Sequence, residues 1–494
     1  MKNLMRAAVS LGALTLVASG TVRGQENIMP FMRSLPQRQE LNPAMTDTRL
    51  ATWFQLPGVA GVAINAENTG FDWSDMFMRG ADDSLHLDFG RLHDRMREIN
   101  LTSVSIDIPL MAYGRRLGKS HYFSAMMYDK TRSEVIFHRS LTNLRRGNWD
   151  FDNFRPIDQE VSDVFIRTMN YLEVAFGYSN DALFGGKLKI GGRVKFLAGV
   201  AAAQSDDLHI RFNTIRESDR YRVEMHSGGS VKTSVPFTVR LDSAGYVDKL
   251  DFSDTRIGDF SPFRNRGLAF DVGATFTPND TWSFGLSFVD VGFIKWHSGC
   301  HKFMAASGVV MRGVDMDSDI KNGINGHEDQ VSDYWEALKD SLLRFTDVTN
   351  ERIEYKTRMT SRMIATAEFN VPGLQWLSVG GSVATKFVNN RAFTRGGVAA
   401  SIHWKKWFSL MGSLAINPGV HVTPGIGLSL QSRAFQFYAI ADRFPHNLES
   451  SSGAALAFGF NFFVGTKRRQ RAESAKQAFL ERMAGEYESV SGEM

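Results

Sequence analysis

Four cations recur along one short stretch of the chain: Lys187, Lys189, Arg193 and Lys195. Leu188, Ile190, Val194, Phe196, Ala198 and Val200 hold the alternate positions. Successive side chains of an extended strand point to opposite faces, so this spacing separates an apolar face from a basic one. Asp271, Arg358, Arg362 and Glu368, with Asp107 and Glu173, fall on the polar phase of other alternating runs. Two chemistries fit these residues. A basic stripe facing a lumen holds an anionic head group such as a carboxylate. The same cations, given these acids, instead form an internal ion-pair network that fills the space and pins whatever lies in it.

Other chemistry-bearing residues form weaker patterns. His297-Ser298-Gly299-Cys300-His301 offers soft metal ligands without a second ligand pair. Cys300 is the single cysteine, so no intramolecular disulfide exists. Asp315, Asp317 and Asp319 open like a calcium loop, but Ile320 and Gly326 stand where Gly and Glu are needed, leaving a solvated acidic loop. His403 and His421 lie on polar faces near Ser401 and Ser409, the raw material of a Ser-His-acid site. No G-x-S-x-G, H-E-x-x-H or phosphate loop occurs. The expectation is a protein that is not an enzyme, with no cofactor and no metal.

The elements that position these side chains are read from periodicity. Runs of about ten residues alternate apolar with small or polar, separated by turn residues. In the last run Ala454, Leu456, Phe458, Phe460, Phe462 and Val464 share one face, with Ala455, Ala457, Gly459 and Asn461 opposite. Leu268, Phe270, Val272, Ala274 and Phe276 repeat the pattern. A soluble sandwich would carry long solvated charges on its polar faces, whereas here Gly, Ser, Ala and Thr predominate. Mean hydropathy is −0.22, which excludes a bundle of apolar helices. The expected fold class is therefore all-β: a transmembrane antiparallel β-barrel of about 14 strands with an N-terminal lumen segment and a few short helices. Length alone, at about 150 residues per domain, argues for three domains, and the continuous strand pattern replaces them with one barrel.

Upstream strands are expected near 56–66, 101–114, 119–129, 168–180, 186–201, 206–216, 220–227 and 231–243. Strand 281–296 changes phase, because Trp282, Phe284, Leu286 and Phe288 give way to Val289, Val291 and Phe293. Strict alternation would aim Asp290 into lipid, so a bulge near Phe288–Val289 is expected to return it inside. Trp282, Trp296, Trp376, Trp404, Trp407 and Phe408 fall near strand ends, as an aromatic girdle requires. Helical spacing of Val331, Tyr334, Trp335, Leu338, Leu342 and Phe345 predicts a helix over 328–346. Shorter helices are expected at 89–99 and 158–169, and the charged tail carries a further pattern at Ala475, Phe479 and Met483.

Lys2 and Arg6 precede the apolar stretch Ala7–Ala18, and small residues follow. This is the pattern of a secretory signal, 1–24, with cleavage after Gly24. Its removal lowers the formal charge from +4 to +1, so no basic surface for nucleic acid is implied. The expected organisation is a plug or hatch segment 25–55, broken by Pro30, Pro36 and Pro43, a barrel 56–465 with a large extracellular loop 297–356, and a charged periplasmic tail 466–494. Counting strands back from a periplasmic C-terminus puts Gln431-Ser432-Arg433, Lys405-Lys406-Trp407, Asn370–Gly373 and Thr277–Asp280 inside, and loops 443–452, 387–394 and 297–356 outside.

Leu41-Asn42-Pro43-Ala44, followed by Leu56-Pro57-Gly58-Val59-Ala60-Gly61, resembles the element before the first strand of FadL-like outer-membrane barrels. With Leu35-Pro36, Arg266–Ala274 and Val289–Trp296 the chain is most similar to an uncharacterised Bacteroidota outer-membrane family related to PorV and PorP type barrels. The resemblance implies a barrel of about 14 strands, an N-terminal segment in the lumen that includes Asn42, Pro43 and Ala44, and residence in the outer membrane of a Gram-negative bacterium. It implies no particular ligand. The chain departs from fatty-acid transporters by continuing past its last strand. Two functions follow: transport or binding of a hydrophobic or amphipathic small molecule, or a structural role in an envelope or secretion complex through 297–356 or 466–494. The partners expected are outer-membrane lipid, such a molecule, and an envelope protein.

Overall fold

Period-two alternation is realised as fourteen antiparallel strands in the computed structural model. It describes residues 26–46, 52–71, 77–79, 85–87, 89–118, 120–140, 149–150, 155–156, 159–216, 221–236, 238–241, 247–251, 264–305, 309–312, 346–349, 353–404, 407–416, 422–443 and 453–464. The signal 1–24, the helix 328–346, Asp315, Asp317, Asp319, His421 and the tail 466–494 lie outside the described residues.

Strand β1 runs as Thr52–Gln55 and Val62–Asn68. β2 is Ile99–Leu117, β3 His121–His138, β4 Gln159–Leu183 and β5 Leu188–Arg216. β6 is Tyr221–Ser234 resumed at Asn265–Phe276, and β7 is Trp282–Trp296 continued by Cys300–Ala305 and Val309–Arg312. β8 is Thr346–Thr349, Tyr355–Arg358 and Ser361–Asn370. β9 Leu377–Val388, β10 Arg391–Trp404, β11 Phe408–Ile416, β12 Thr423–Gln431, β13 Phe435–Arg443 and β14 Gly453–Val464 follow. Each strand pairs with its sequence neighbours, and β14 returns to β1 through Thr52↔Val464 and Val62↔Phe458. The ring is closed, so no edge is left for lipid to meet.

The outer face is apolar. Phe176, Phe196, Val272, Ile426 and Phe458 are exposed there. Trp282, Trp376, Trp404 and Trp407 are exposed at the rim where the short turns lie. Trp296 does not join them: it is fully buried inside, and its indole N–H donates to Thr357 Oγ1 at 2.9 Å.

Several sequence expectations change in detail. Where a helix is expected at 158–169, the described stretch from Gln159 on is strand, paired to β3 through Ile136↔Phe165 and to β5 through Ile210↔Val161. Its Val161, Val164, Phe165 and Ile166 are β-branched or aromatic, and Phe165, Arg167 and Met169 alternate inward against an exposed Ile166. The helix at 89–99 stops at Arg95, because Ile99 already opens β2. Runs 186–201 and 206–216 are one strand of 29 residues. About 10 residues suffice to cross a bilayer, so β4 to β7 stand well above it on one side. Loop 387–394 reduces to the pair Asn389-Asn390, with φ of 46° and 60°. Both residues are left-handed, as a two-residue hairpin turn demands.

Inside the ring runs Glu26–Thr46, in which all but Arg33, Ser34, Arg38 and Glu40 are buried. Two 3₁₀ turns, Met29–Phe31 and Pro36–Glu40, carry prolines at their starts, where an N–H is not needed. Glycines of the wall make room for it. A Cβ on Gly380 would lie 2.2 Å from the Phe31 ring, and one on Gly191 2.5 Å from the Pro43 carbonyl.

β1 is interrupted by Leu56–Gly61, which steps out toward lipid with Leu56 and Val59 exposed. Irregular backbone there must satisfy its own polar groups. Ala60 N–H bonds Leu56 O, the Gln55 amide donates to Ala60 O and Phe460 O, and Pro57 has no N–H. Gly61 closes the step at φ +99°, and a Cβ there would lie 1.9 Å from Phe458 O. Gly61→Val should therefore cost about 2 kcal/mol or more. Its urea midpoint should fall, while Gly412→Ala, which meets nothing within 4 Å, leaves the midpoint unchanged.

Candidate functional site

A chain of charges crosses the lumen. Arg193 of β5 meets Asp271 of β6 through Nε and Nη2, at 2.7 and 2.6 Å from Oδ2. Lys195 sits 2.8 Å from the other oxygen of Asp271 and also pairs with Asp290 of β7. Arg362 of β8 holds the second oxygen of Asp290 at 2.8 Å and reaches Glu26 of the inner segment at 3.2 Å. Glu26 also pairs with Arg395 of β10, which shares Glu67 of β1 with Lys386 of β9. Ser103 Oγ donates to Glu67 at 2.8 Å. The ladder thus binds seven strands and the inner segment to one another.

The bulge in β7 makes this possible. Pairing with β6 shifts between Phe270 and Val272, and Asp290 takes φ 61°. Val289 and Asp290 are consecutive yet both buried. The Asp290 N–H donates to Asp271 Oδ1 at 2.7 Å, so the bulge and the ladder share an atom. Asp is one of the few residues that visits the left-handed region readily.

A second group lies on β2 to β4. Lys130 pairs with Glu173 at 2.8 Å, Arg132 with Asp107, and Arg167 with Glu134. Thr360 Oγ1 donates to Glu134 at 2.5 Å. Tyr128 O–H donates to Glu40 of the inner segment at 2.7 Å. Between the two groups lies a polar cavity lined by Glu26, Asp107, Lys130, Arg132, Arg362 and Arg395. It has room for on the order of five waters.

The opposite wall is apolar. Ile28, Phe31, Met32 and Leu35 of the inner segment pack on Ile364, Ala384, Ala399, Met411 and Ile440 of β8 to β13. Polar clamps flank this patch. Asn27 N–H donates to Asp442 Oδ2 at 3.0 Å, and the Gln37 amide donates to Asn461 at 2.8 Å. Arg33 bonds Glu368 at 2.8 Å, and Ser378 donates to the same carboxylate at 3.0 Å. Asn42 spans two strands, donating to the carbonyls of Ala274 and Leu286 at 3.0 and 3.3 Å. Its Oδ1 accepts the Ala44 N–H at 2.9 Å, which turns the chain through Pro43.

Of the residues singled out from sequence, Arg193, Lys195, Asp271 and Arg362 come together in the ladder. Glu368 is placed apart, at the foot of the inner segment. Lys187 and Arg358 do not face inward. Lys187 is exposed beside the turn Phe184–Gly186, one residue before β5 begins, and Lys189 is half-buried at the same rim. Arg358 is exposed because Met359-Thr360 breaks β8 and reverses its phase: Tyr355, Thr357 and Met359 point in above the break, Arg362 and Ile364 below it. Only the Arg358 carbonyl reaches the interior, accepting from Arg167 at 2.7 Å.

Sequence reading missed Glu26, Glu67, Lys130, Glu134, Arg167, Lys386 and Arg395. Tyr128, Lys130, Arg132 and Glu134 at every second position of β3 were a legible signal. His403 Nδ1 lies 3.1 Å from Ser409 Oγ, and its Nε2 meets no hydrogen-bonding atom, so no Ser-His-acid triad forms at that histidine. His297 pairs with Glu354 at 2.9 Å. Among the described residues no three His, Cys, Asp or Glu side chains gather as metal ligands.

These features define a membrane β-barrel occupied by its own N-terminal segment and laced by internal ion pairs. The chain belongs to a family of unknown function, DUF5723, which it matches over residues 43–442. No curated protein matches it in sequence. Among solved structures it is similar to a Pseudomonas aeruginosa FadL homologue at 10% identity and TM-score 0.31, covering 87% of this chain and 93% of that one. It is also similar to the Pseudomonas putida toluene transporter TodX, at 8% identity and TM-score 0.34, covering 85% and 90%.

Breaking a buried pair while leaving its partner charged costs about 3–5 kcal/mol. Lys195→Met takes one of two cations from each of Asp271 and Asp290, leaves a net negative charge buried there, and should cost about that much by urea unfolding. Adding Asp290→Asn should restore part of the loss, and Lys187→Met should change stability by less than about 0.5 kcal/mol.

Proposed function

We propose that the protein is an outer-membrane barrel of a Gram-negative cell that binds or passes an amphipathic small molecule, with segment 25–55 as its releasable plug. In this reading residues 1–24 direct export, both chain ends face the periplasm, and the short-turn rim lies on that side. The observation that carries the reading is how the lumen is filled. A chain segment shares the lumen with the ion-paired wall side chains, and its own side chains divide as an amphipathic ligand would. Ile28, Phe31, Met32 and Leu35 cover one apolar wall, and the Glu26 carboxylate bridges Arg362 and Arg395. Displacement of the segment bares an apolar wall beside two arginines. Guanidinium groups pair well with carboxylates and phosphates, so an anionic head with an apolar body suits the vacated space.

Release requires breaking the Glu26 ion pairs, the polar clamps and the apolar contact of Ile28, Phe31, Met32 and Leu35, which a ligand that remakes all three offsets. The test is a reversible tether. Asn27→Cys with Ser382→Cys joins two side chains whose polar atoms lie 3.2 Å apart, in a Cys300→Ser background. Oxidised protein in liposomes should take up a fluorescent medium-chain carboxylate at least tenfold more slowly than reduced protein. Deletion of 26–46 should raise uptake above wild type. Equal uptake with the tether closed and open contradicts the reading.

A further inference from the structure

Three cations stand side by side on the outer face of the barrel. Arg266 of β6 is opposite Lys295 of β7, and Lys295 is opposite Lys356 of β8. All three are exposed. The residues beside them along each strand point inward: Asn265, Ile294, Trp296, Tyr355 and Thr357 are buried. Arg358 follows Lys356 on the same face, opposite Phe293, and donates to Asn390 of the β9–β10 turn at 3.3 Å. Adjacent strands are about 4.8 Å apart, so the row spans about 10 Å. Like charges directly opposite one another destabilise a sheet. Glu354 shares this face but is drawn to His297, at 2.9 Å. Lys295 and Lys356 ion-pair with no acid among the described residues.

The row sits at a definite height. Below it the outer face is apolar, with Phe270, Val272, Phe288 and Val291 exposed. Trp282 marks the short-turn end of that band, and about ten strand steps of β7 lead from it to Phe293 once the bulge is discounted. At about 3.3 Å per step and a tilt of about 40°, this is about 25 Å, the height of the apolar band of a membrane barrel. Lys295 is the next outward residue. The cations thus lie where acyl chains give way to head groups, at the interface opposite the tryptophan rim. Lys356 folds down onto that edge, its ammonium 3.7 Å from the centroid of the Phe293 ring.

We propose that Arg266, Lys295, Lys356 and Arg358 form a binding site for the head group of a lipid that carries clustered phosphates. One phosphate bridges two neighbouring cations, and a second on the same head group engages the other two. Guanidinium forks take phosphate oxygens in pairs, and ammonium groups act as point charges. The acyl chains then lie along Phe270, Val272 and Val291. Bound phosphates also cancel the mutual repulsion of the row, so the lipid steadies the strands that hold Asp271, Asp290 and Arg362 of the inner ladder. In the orientation proposed above, the site belongs to the outer leaflet. The inference uses the barrel's place in a bilayer and needs neither a releasable plug nor transport.

The test is lipid retention by the full chain refolded into phosphatidylcholine bilayers that contain a small share of one anionic lipid. The three probes are diphosphoryl lipid A, its monophosphoryl form and phosphatidylglycerol. Heat-modifiable gel migration first confirms that each barrel has closed. After extraction in mild detergent, native mass spectrometry counts the lipid that stays bound. The unmodified chain should retain diphosphoryl lipid A about tenfold or more above either single-phosphate lipid. Lys295→Gln with Lys356→Gln should cut that retention about tenfold or more, while Lys295→Arg with Lys356→Arg keeps it. Lys187→Gln with Arg433→Gln, exposed at the opposite rim, should leave it unchanged. In pure phosphatidylcholine the glutamine pair should unfold at the same urea concentration as the unmodified chain or a higher one, since it relieves repulsion. Equal retention by the glutamine pair and the unmodified chain overturns the proposal, as does loss of retention in the arginine pair. Equal retention of all three lipids, or release of lipid A by millimolar inorganic phosphate, also overturns it, because the site would then not read clustered phosphates on a lipid.

Discussion

A charge inside a membrane barrel must be paired, because lipid surrounds the wall and water has little room within it. The ladder from Arg193 to Lys386 is the answer to that constraint. Every member touches an acid or base on another element, so the ladder acts as a cross-brace. It ties β5, β6, β7 and β8 to β10, β1 and β9 through Glu26 of the inner segment. The segment is thus an electrostatic member of the wall as well as an object lodged inside it. Burying so many ions does not by itself stabilise a fold, since desolvation offsets most of the attraction. What the pairing does specify is register. A one-residue slip of any strand would send its charges into lipid.

Local irregularities serve the same requirement. The β7 bulge turns Asp290 inward and simultaneously presents its N–H to Asp271. The break at Met359-Thr360 lets β8 point Thr357 inward above it and Arg362 inward below it. The step at Leu56–Gly61 takes backbone out of the wall but closes its own hydrogen bonds. Each departs from ideal strand geometry at a place where strict alternation would bury or expose the wrong group.

The barrel class was legible in sequence because lipid imposes a strict two-residue rhythm on every membrane-crossing strand. The bulge near Phe288–Val289 was legible for the same reason, since Asp290 broke the rhythm. Above the bilayer that discipline relaxes, and there the reading failed. The stretch 158–169 looked helical, and β5 was divided in two. The ion pairs were only half visible. Alternation says that Lys195 and Asp271 face inward, but which inward charges meet depends on stagger between strands, and Arg358 was misplaced because a two-residue break reverses phase without a turn residue to announce it. The small inner-face residues suit a lumen occupied by something else, without showing which residues meet them. They are seats: Gly380 for Phe31, Gly191 for Pro43, and Gly427 for Ile28. Glu26 went unnoticed because nothing in its neighbourhood alternates.

The central claim is that the inner segment belongs to the barrel's packed interior in the resting protein. Amide hydrogen exchange on bilayer-reconstituted protein tests it most directly, because a buried, hydrogen-bonded amide exchanges only when its surroundings open. The Asn27 amide, bonded to Asp442, and the Ala44 amide, bonded to Asn42, report from the two ends of the segment. Peptides covering 26–46 should be protected by at least about a hundredfold relative to an unstructured chain. Exchange of those peptides at the unstructured rate, while β9 to β14 remain protected, would contradict the account.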